Sequence, residues 1–137
     1  MRAARTDIPP AVWGQRCGRA PYDRAIPGSE FSVAVHAEGS LEIVVVRGEV
    51  DIATADAVRA DLNGALGRSG NVVLDLREVS FMDTQGLSVV IEAQQRCAAD
   101  GTQFAITRAP DHVHRLFDMI GLTPRLTVLD DPAAAAS

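Results

Sequence analysis

Phe31, Val33 and Val35 alternate with Ser32, Ala34 and His36, and beyond Glu38-Gly39-Ser40 a β-branched run extends from Leu41 to Val50. A period of two on either side of a glycine-bearing turn predicts an antiparallel hairpin. After Gly48-Glu49-Val50-Asp51 the period changes: Ala55, Val58, Leu62 and Ala65 recur at spacings of three and four, with Thr54 placed to cap a helix that ends around Gly67. Gly70-Asn71 turns the chain into Val72-Val73-Leu74-Asp75-Leu76, whose length and continuous apolar character predict a buried strand. A short connection then carries Phe81 and Met82. Leu87, Val90, Ile91, Gln94 and Ala98 predict the inner face of a second helix, which closes near Asp100-Gly101, while Glu92, Gln95 and Arg96 face away. Phe104-Ala105-Ile106 reads as a strand. Val113, Leu116, Phe117 and Ile120 form the inner stripe of a third helix stopped by Gly121, and Leu126 to Leu129 is a last short strand.

The pattern predicts an α/β fold in one domain: an N-terminal β-hairpin, then βαβαβα(β), with a mixed, mostly parallel sheet and helices packed on it. The domain is expected to occupy residues 29–130. Residues 1–28 mix five arginines with four prolines and show no period, so they are expected to be a disordered tail, and residues 131–137 a frayed C-terminus. In such a sheet, partner surfaces gather at the carboxyl ends of the parallel strands. Two segments lie there: Asp51 to Thr54, and Asp83 to Ser88.

Composition narrows the chemistry. In 137 residues, 47% are hydrophobic, enough for a core without metal or disulfide staples, and only 4% are aromatic, which makes a poor stacking platform for nucleic acid. The formal net charge is −5 and no basic stripe appears, so direct nucleic-acid binding is not expected. All thirteen basic residues are arginines, which removes a Schiff-base lysine, a phosphate-loop lysine and a receiver-domain lysine together. Cys17 and Cys97 form no CxxC pair and no apolar run is long enough to span a bilayer, so a soluble cytoplasmic protein is expected. No metal site is expected, since His36, His112 and His114 do not cluster with acids or cysteines; all three are read as surface residues. No cofactor and no catalytic residue is expected, because Ser80 and Ser88 lack a nucleophile elbow and Asp75 lacks the partners of a phosphate acceptor. Cys97 is expected to be packed as a small apolar residue.

Phe81-Met82-Asp83-Thr84-Gln85-Gly86-Leu87 places a hydroxyl beside a carboxylate at the first turn of a helix whose amides lack partners. A phosphate on Thr84 would add about −1.5 to −2 charges and gain about 0.3–1 kcal/mol from the helix end. Spacing alone favours the plainer reading, in which Thr84 or Asp83 only caps the helix and Gly86 only permits a close chain approach.

From Phe31 to Leu129 the chain resembles the STAS family, the sulphate transporter and anti-sigma factor antagonist domains. The resemblance rests on Gly48-Glu49-Val50-Asp51, on Val72 to Leu76 followed by Val79 to Leu87, and on Arg115-Leu116-Phe117-Asp118-Met119-Ile120-Gly121-Leu122. It implies a non-enzymatic switch. An anti-sigma factor with GHKL-type serine/threonine kinase activity would bind the unmodified chain and release its sigma factor; phosphorylation of Thr84 would end that capture, and a PP2C-type phosphatase would restore it. Asp51, Thr54, Asp83, Thr84, Gln85, Gly86, Leu87 and Ser88 are the partner-binding residues so implied, on a monomer or weak dimer. Thr84 stands where serine is commoner, and Gln85 replaces a small residue. The alternatives are a non-phosphorylated scaffold or sensor module of the same fold, and a flavodoxin-like enzyme or ligand-binding domain without a glycine-rich phosphate loop.

Overall fold

The computed structural model describes the backbone of Tyr22–Ala25 and residues 30–132. The elements are β1 (Tyr22–Ala25), β2 (Ser32–Glu38), β3 (Leu41–Val50), α1 (Ala55–Arg68), β4 (Asn71–Met82), α2 (Thr84–Asp100), β5 (Gln103–Thr107), α3 (Asp111–Met119), a 3-10 turn (Thr123–Arg125) and β6 (Thr127–Leu129). The strands form one sheet in the order β1-β2-β3-β4-β5-β6. β1, β2 and β3 pair antiparallel, whereas β3 to β6 pair parallel, so the hairpin and the mixed, mostly parallel sheet stand as expected. No helix among the described residues is long and apolar enough to cross a membrane.

Alternation along the strands divides the sheet into two faces. Val44, Leu74 and Ile106 share a core with Val58 and Leu62 of α1, Val89 and Val90 of α2, and Val113 and Phe117 of α3. All three helices therefore cover the same face, the outcome of right-handed crossovers that always step in one direction. Ile43, Val73 and Ala105, the residues between, form a smaller apolar cluster with Leu41 on the other face. That two-sided burial explains why the strands read as unbroken hydrophobic runs.

Four details differ from the sequence expectation. Tyr22–Ala25, assigned to the tail, pairs with Ser32 to Val35 and adds an edge strand; four residues are too few for a period to show. The remainder of the expected tail, and residues 133–137, lie outside the described residues. β4 continues through the supposed connection to Met82, because Glu49 pairs with Phe81 and Val50 with Met82 after two register shifts, at each of which β4 carries one extra residue. In α3 the inner stripe is Val113, His114 and Phe117, while Ile120 falls past the helix end and is 51% exposed. In α2 the buried positions are Gly86, Leu87, Val89, Val90, Ala93 and Cys97, so Ala98 turns outward and Cys97 is packed as expected.

Gly48 lets the incoming chain pass close to β3. Its φ is +89°, and a β-carbon there would stand 2.9 Å from the Glu30 carbonyl oxygen and from Phe31 Cα, where the chain enters the domain.

Candidate partner-binding site

The two segments singled out in the sequence meet at the carboxyl edge of the sheet. The Val50–Met82 rung ends β3 and β4 side by side, and the Asp83 amide donates to the Val50 carbonyl at 3.2 Å, joining the start of α2 to the end of β3.

Between β3 and α1 the chain forms a pinned turn. The Asp51 carboxylate accepts from the Ala53 amide (2.9 Å), and the Asp51 carbonyl accepts from the amides of Thr54 and Ala55. Thr54 occupies the N-cap position but does not cap α1 with its side chain, contrary to expectation. Its buried hydroxyl donates to the Glu49 carbonyl (2.8 Å) and accepts from the Asp51 amide (3.0 Å), clamping the end of β3. A local turn competes here with the helix for the same oxygen.

At the head of α2, Asp83 is the cap: its Oδ1 accepts from the Gln85 amide at 2.8 Å and the Gly86 amide at 3.4 Å. The Leu87 amide donates to the Asp83 carbonyl. The expectation that this helix end keeps open amides for an anion is therefore corrected, since a carboxylate of the chain itself already holds those of Gln85 and Gly86. Thr84 is the first helical residue and is exposed, as is Gln85; Asp83 and Ser88 are half-buried, and Ser88 Oγ donates to the Thr84 carbonyl (3.0 Å). Gly86 and Leu87 are buried, so their part is to seat the helix. The site residues thus separate into those that can meet a partner, namely Asp51, Asp83, Thr84, Gln85 and Ser88, and those that shape the edge from beneath, Thr54, Gly86 and Leu87.

Sequence reasoning passed over two residues of the same edge. Ile52, at the tip of the pinned turn, is 77% exposed, and Phe81, one residue before Met82, is 46% exposed. The signal for Ile52 was an aliphatic side chain inside a polar turn, and for Phe81 its place on the strand face opposite Met82 once β4 is extended. His112, on α3, brings its Nε2 to 2.6 Å from the Ser80 carbonyl and so closes one side of the overhanging strand.

The other candidate groups have structural roles. Buried Asp75 accepts from the Thr107 hydroxyl (3.0 Å) and is bridged by Arg77 through Nε (3.0 Å) and Nη2 (2.8 Å); the Thr107 oxygen in turn accepts from the Leu76 amide (2.8 Å). Hydrogen bonding to Asp75 raises the Arg77 pKa above its ordinary value, outweighing the lowering effect of burial, so the arginine stays charged. His36 and His114 are buried, not superficial, and the His114 ring meets Phe117 edge-on with centroids 5.7 Å apart. Among the described residues, no three His, Cys, Asp or Glu side chains gather as metal ligands would.

A mixed sheet led by a hairpin, with helices on one face and the Thr84 hydroxyl exposed after the Asp83 cap at the carboxyl edge, places the chain among single-domain α/β folds. Residues 32–135 match the family model of the STAS domain, and the chain belongs to that family. It is 34% identical over 102 residues to the anti-sigma F factor antagonist of Paenibacillus polymyxa, a match covering 73% of this chain and 86% of that one. Its fold resembles the crystal structure of an anti-sigma factor antagonist from Mycobacterium paratuberculosis, with a TM-score of 0.71 at 21% identity over 82% of this chain and 96% of that chain. It also resembles the antagonist SpoIIAA in its unphosphorylated form, with a TM-score of 0.64 at 18% identity over 74% and 91% of the two chains. The phosphorylated form of the Bacillus SpoIIAA gives a TM-score of 0.62 at 18% identity over 76% and 96%.

Proposed function

We propose that this protein is an anti-sigma factor antagonist: unmodified, it captures an anti-sigma factor that is also a GHKL-type serine/threonine kinase, and phosphorylation of Thr84 ends the capture. The observation that carries the proposal is the position of Thr84, an exposed hydroxyl at the first residue of α2, immediately after its cap and clear of the core. The names of its relatives and the existence of a phosphorylated form of a protein with the same fold support the same reading.

The mechanism follows from local electrostatics. A dianion on Thr84 enters a helix end whose Gln85 and Gly86 amides are engaged by Asp83, so it meets a like charge and projects outward. The core under α2 is unaffected, and what changes is the outer surface: a strongly hydrated group stands where a partner has to close. Thr84 acts as substrate, with no catalytic group contributed by this chain. A PP2C-type phosphatase would restore the unmodified surface.

Incubation with the ATP-binding anti-sigma factor of the same organism and ATP, followed by mass spectrometry, should place one phosphate on Thr84, and Thr84→Glu should lose kinase binding while keeping its melting temperature. Phosphate elsewhere, or undiminished binding by Thr84→Glu, would overturn the proposal.

A further inference from the structure

We infer that Ile52 and Phe81 are the apolar anchors by which the carboxyl edge seats its partner, and that the partner surface they enter is an apolar depression rimmed by arginine or lysine. The inference rests on the capture proposed above and adds the chemistry of the contact.

Exposed single hydrophobics are ordinary, so exposure alone decides nothing. What distinguishes these two is where they are held and how firmly. Glu49 pairs with Phe81, and Ile52 follows Glu49 by three residues, so both belong to the edge that the Asp83–Val50 hydrogen bond closes. Ile52 is presented by a turn fixed by the Asp51 carboxylate and the Thr54 hydroxyl, and so has little backbone freedom to lose on docking. Phe81 is held by the ladder of β3 and β4. Rigid apolar side chains at the centre of a contact, ringed by polar groups, are the ordinary anatomy of an energetically dominant cluster.

Charge selects the partner. The acidic residues that flank the pair along the chain and in the ladder are Glu49, Asp51 and Asp83, while Arg47, Arg59 and Arg77 are each paired with an acid: Arg47 with Glu78 at 3.6 Å, Arg59 with Asp56 and Glu92, and Arg77 with Asp75. An apolar centre inside an acidic border is complemented by an apolar hollow with a basic rim, which steers approach at a rate that falls with salt. The apolar centre also reconciles that rim with the proposed switch. A phosphorylated Thr84, three residues beyond Phe81 on the same edge, has to surrender its hydration to close the contact, a cost that basic groups at the periphery do not offset.

The test uses the full chain and the purified ATP-binding anti-sigma factors of the same organism, with affinity measured at low and high salt. Ile52→Ser and Phe81→Ser should each weaken binding tenfold or more without lowering the melting temperature, and binding by the native chain should weaken as salt rises. Met119→Ser, at an exposed apolar position away from this edge, 75% exposed at the end of α3, should bind as the native chain does. If Thr84→Glu abolishes binding while Ile52→Ser and Phe81→Ser leave it intact, the anchors are refuted and the switch survives. If Met119→Ser weakens binding as much as Ile52→Ser, the assignment of the contact to this edge is refuted. If the native chain binds none of these kinases, the capture itself is refuted and the anchors with it.

Discussion

Gly86 offers the sharpest test of how the site is built. A β-carbon added there would lie 2.5 Å from Met82 Cγ, 3.2 Å from Met82 Sδ and 3.0 Å from Val50 Cγ1. Carbon atoms pack favourably at about 3.5–4.0 Å, so the nearest contact is short by roughly 1 Å. Met82 cannot simply swing away, because the clash falls near the root of its side chain and the residue is buried against Val50 in the main core. Overpacking of this kind costs about 1–3 kcal/mol. Alanine recovers up to about 1 kcal/mol of helix propensity in a helix interior and less in a first turn, which leaves Gly86→Ala less stable by about 1–2 kcal/mol. Thermal unfolding should register a fall of roughly 5–10 °C in a domain of this size. The decisive experiment is the pair with Met82→Ala, which alone should cost about 2–5 kcal/mol as a cavity. In that background the 2.5 Å clash is gone and only the 3.0 Å approach to Val50 Cγ1 remains, so Gly86→Ala should cost clearly less than in the native chain and the two changes should be non-additive. A Gly86→Ala protein that melts at or above the native temperature, or whose effect is the same with and without Met82, would refute the packing argument.

Asp83→Ala should lower stability by about 1 kcal/mol through loss of the cap, whereas Asp83→Asn, which can accept the same amides, should lose at most a few tenths; equal losses by denaturant unfolding would show that the carboxylate acts by charge and not as a cap. Thr107→Val leaves the buried Leu76 amide without its acceptor and removes one donor from Asp75, which keeps those of Arg77, and should cost about 1–3 kcal/mol, checked by denaturant unfolding against an unchanged fold by circular dichroism. Glu92→Gln, on the solvent side of the α1–α2 ion pair with Arg59, should change the melting midpoint by less than about 1 kcal/mol equivalent, and a larger loss would mean that this clasp holds the helices together.

The main lines of the fold are legible in the sequence because burial enforces a period. The hairpin alternation, the three-four spacing of Ala55, Val58, Leu62 and Ala65, and the apolar run of Val72 to Leu76 each have one cheap way to hide their hydrophobic atoms. Where a residue's position depends on tertiary pairing, the pattern is silent. Phe81 and Met82 look like a connection until the pairing of β4 shifts register by one residue and Glu49 and Val50 become their partners. His114 looks superficial until Phe117 and the sheet close over it, and Tyr22–Ala25 carry no signal because only pairing to β2 makes them a strand. At the site, the resemblance pointed to the exposed edge and to Thr84 at the head of α2. It did not reveal that Thr54 spends its hydroxyl on Glu49 or that Asp83 holds the helix amides, since hydroxyl and carboxylate have several near-equivalent local bonds open to them and only the folded geometry chooses.

The length of β4 has a mechanical consequence. Its rungs with β5 stop at Leu74–Ile106 and its last hydrogen bond to β5 is that of Leu76 to Thr107, while the rungs with β3 run on to Met82, so the last six residues project beyond the neighbouring parallel strand by up to about 20 Å of extended chain. A projecting ribbon of two strands is weak by itself. Here it is braced from below by Leu76, Val79 and Met82 in the core and from one flank by the His112 ring against Ser80. Thr84 therefore rides on a stiffened jetty, and on the proposed switch a much larger catalyst would reach it there without prying any helix loose.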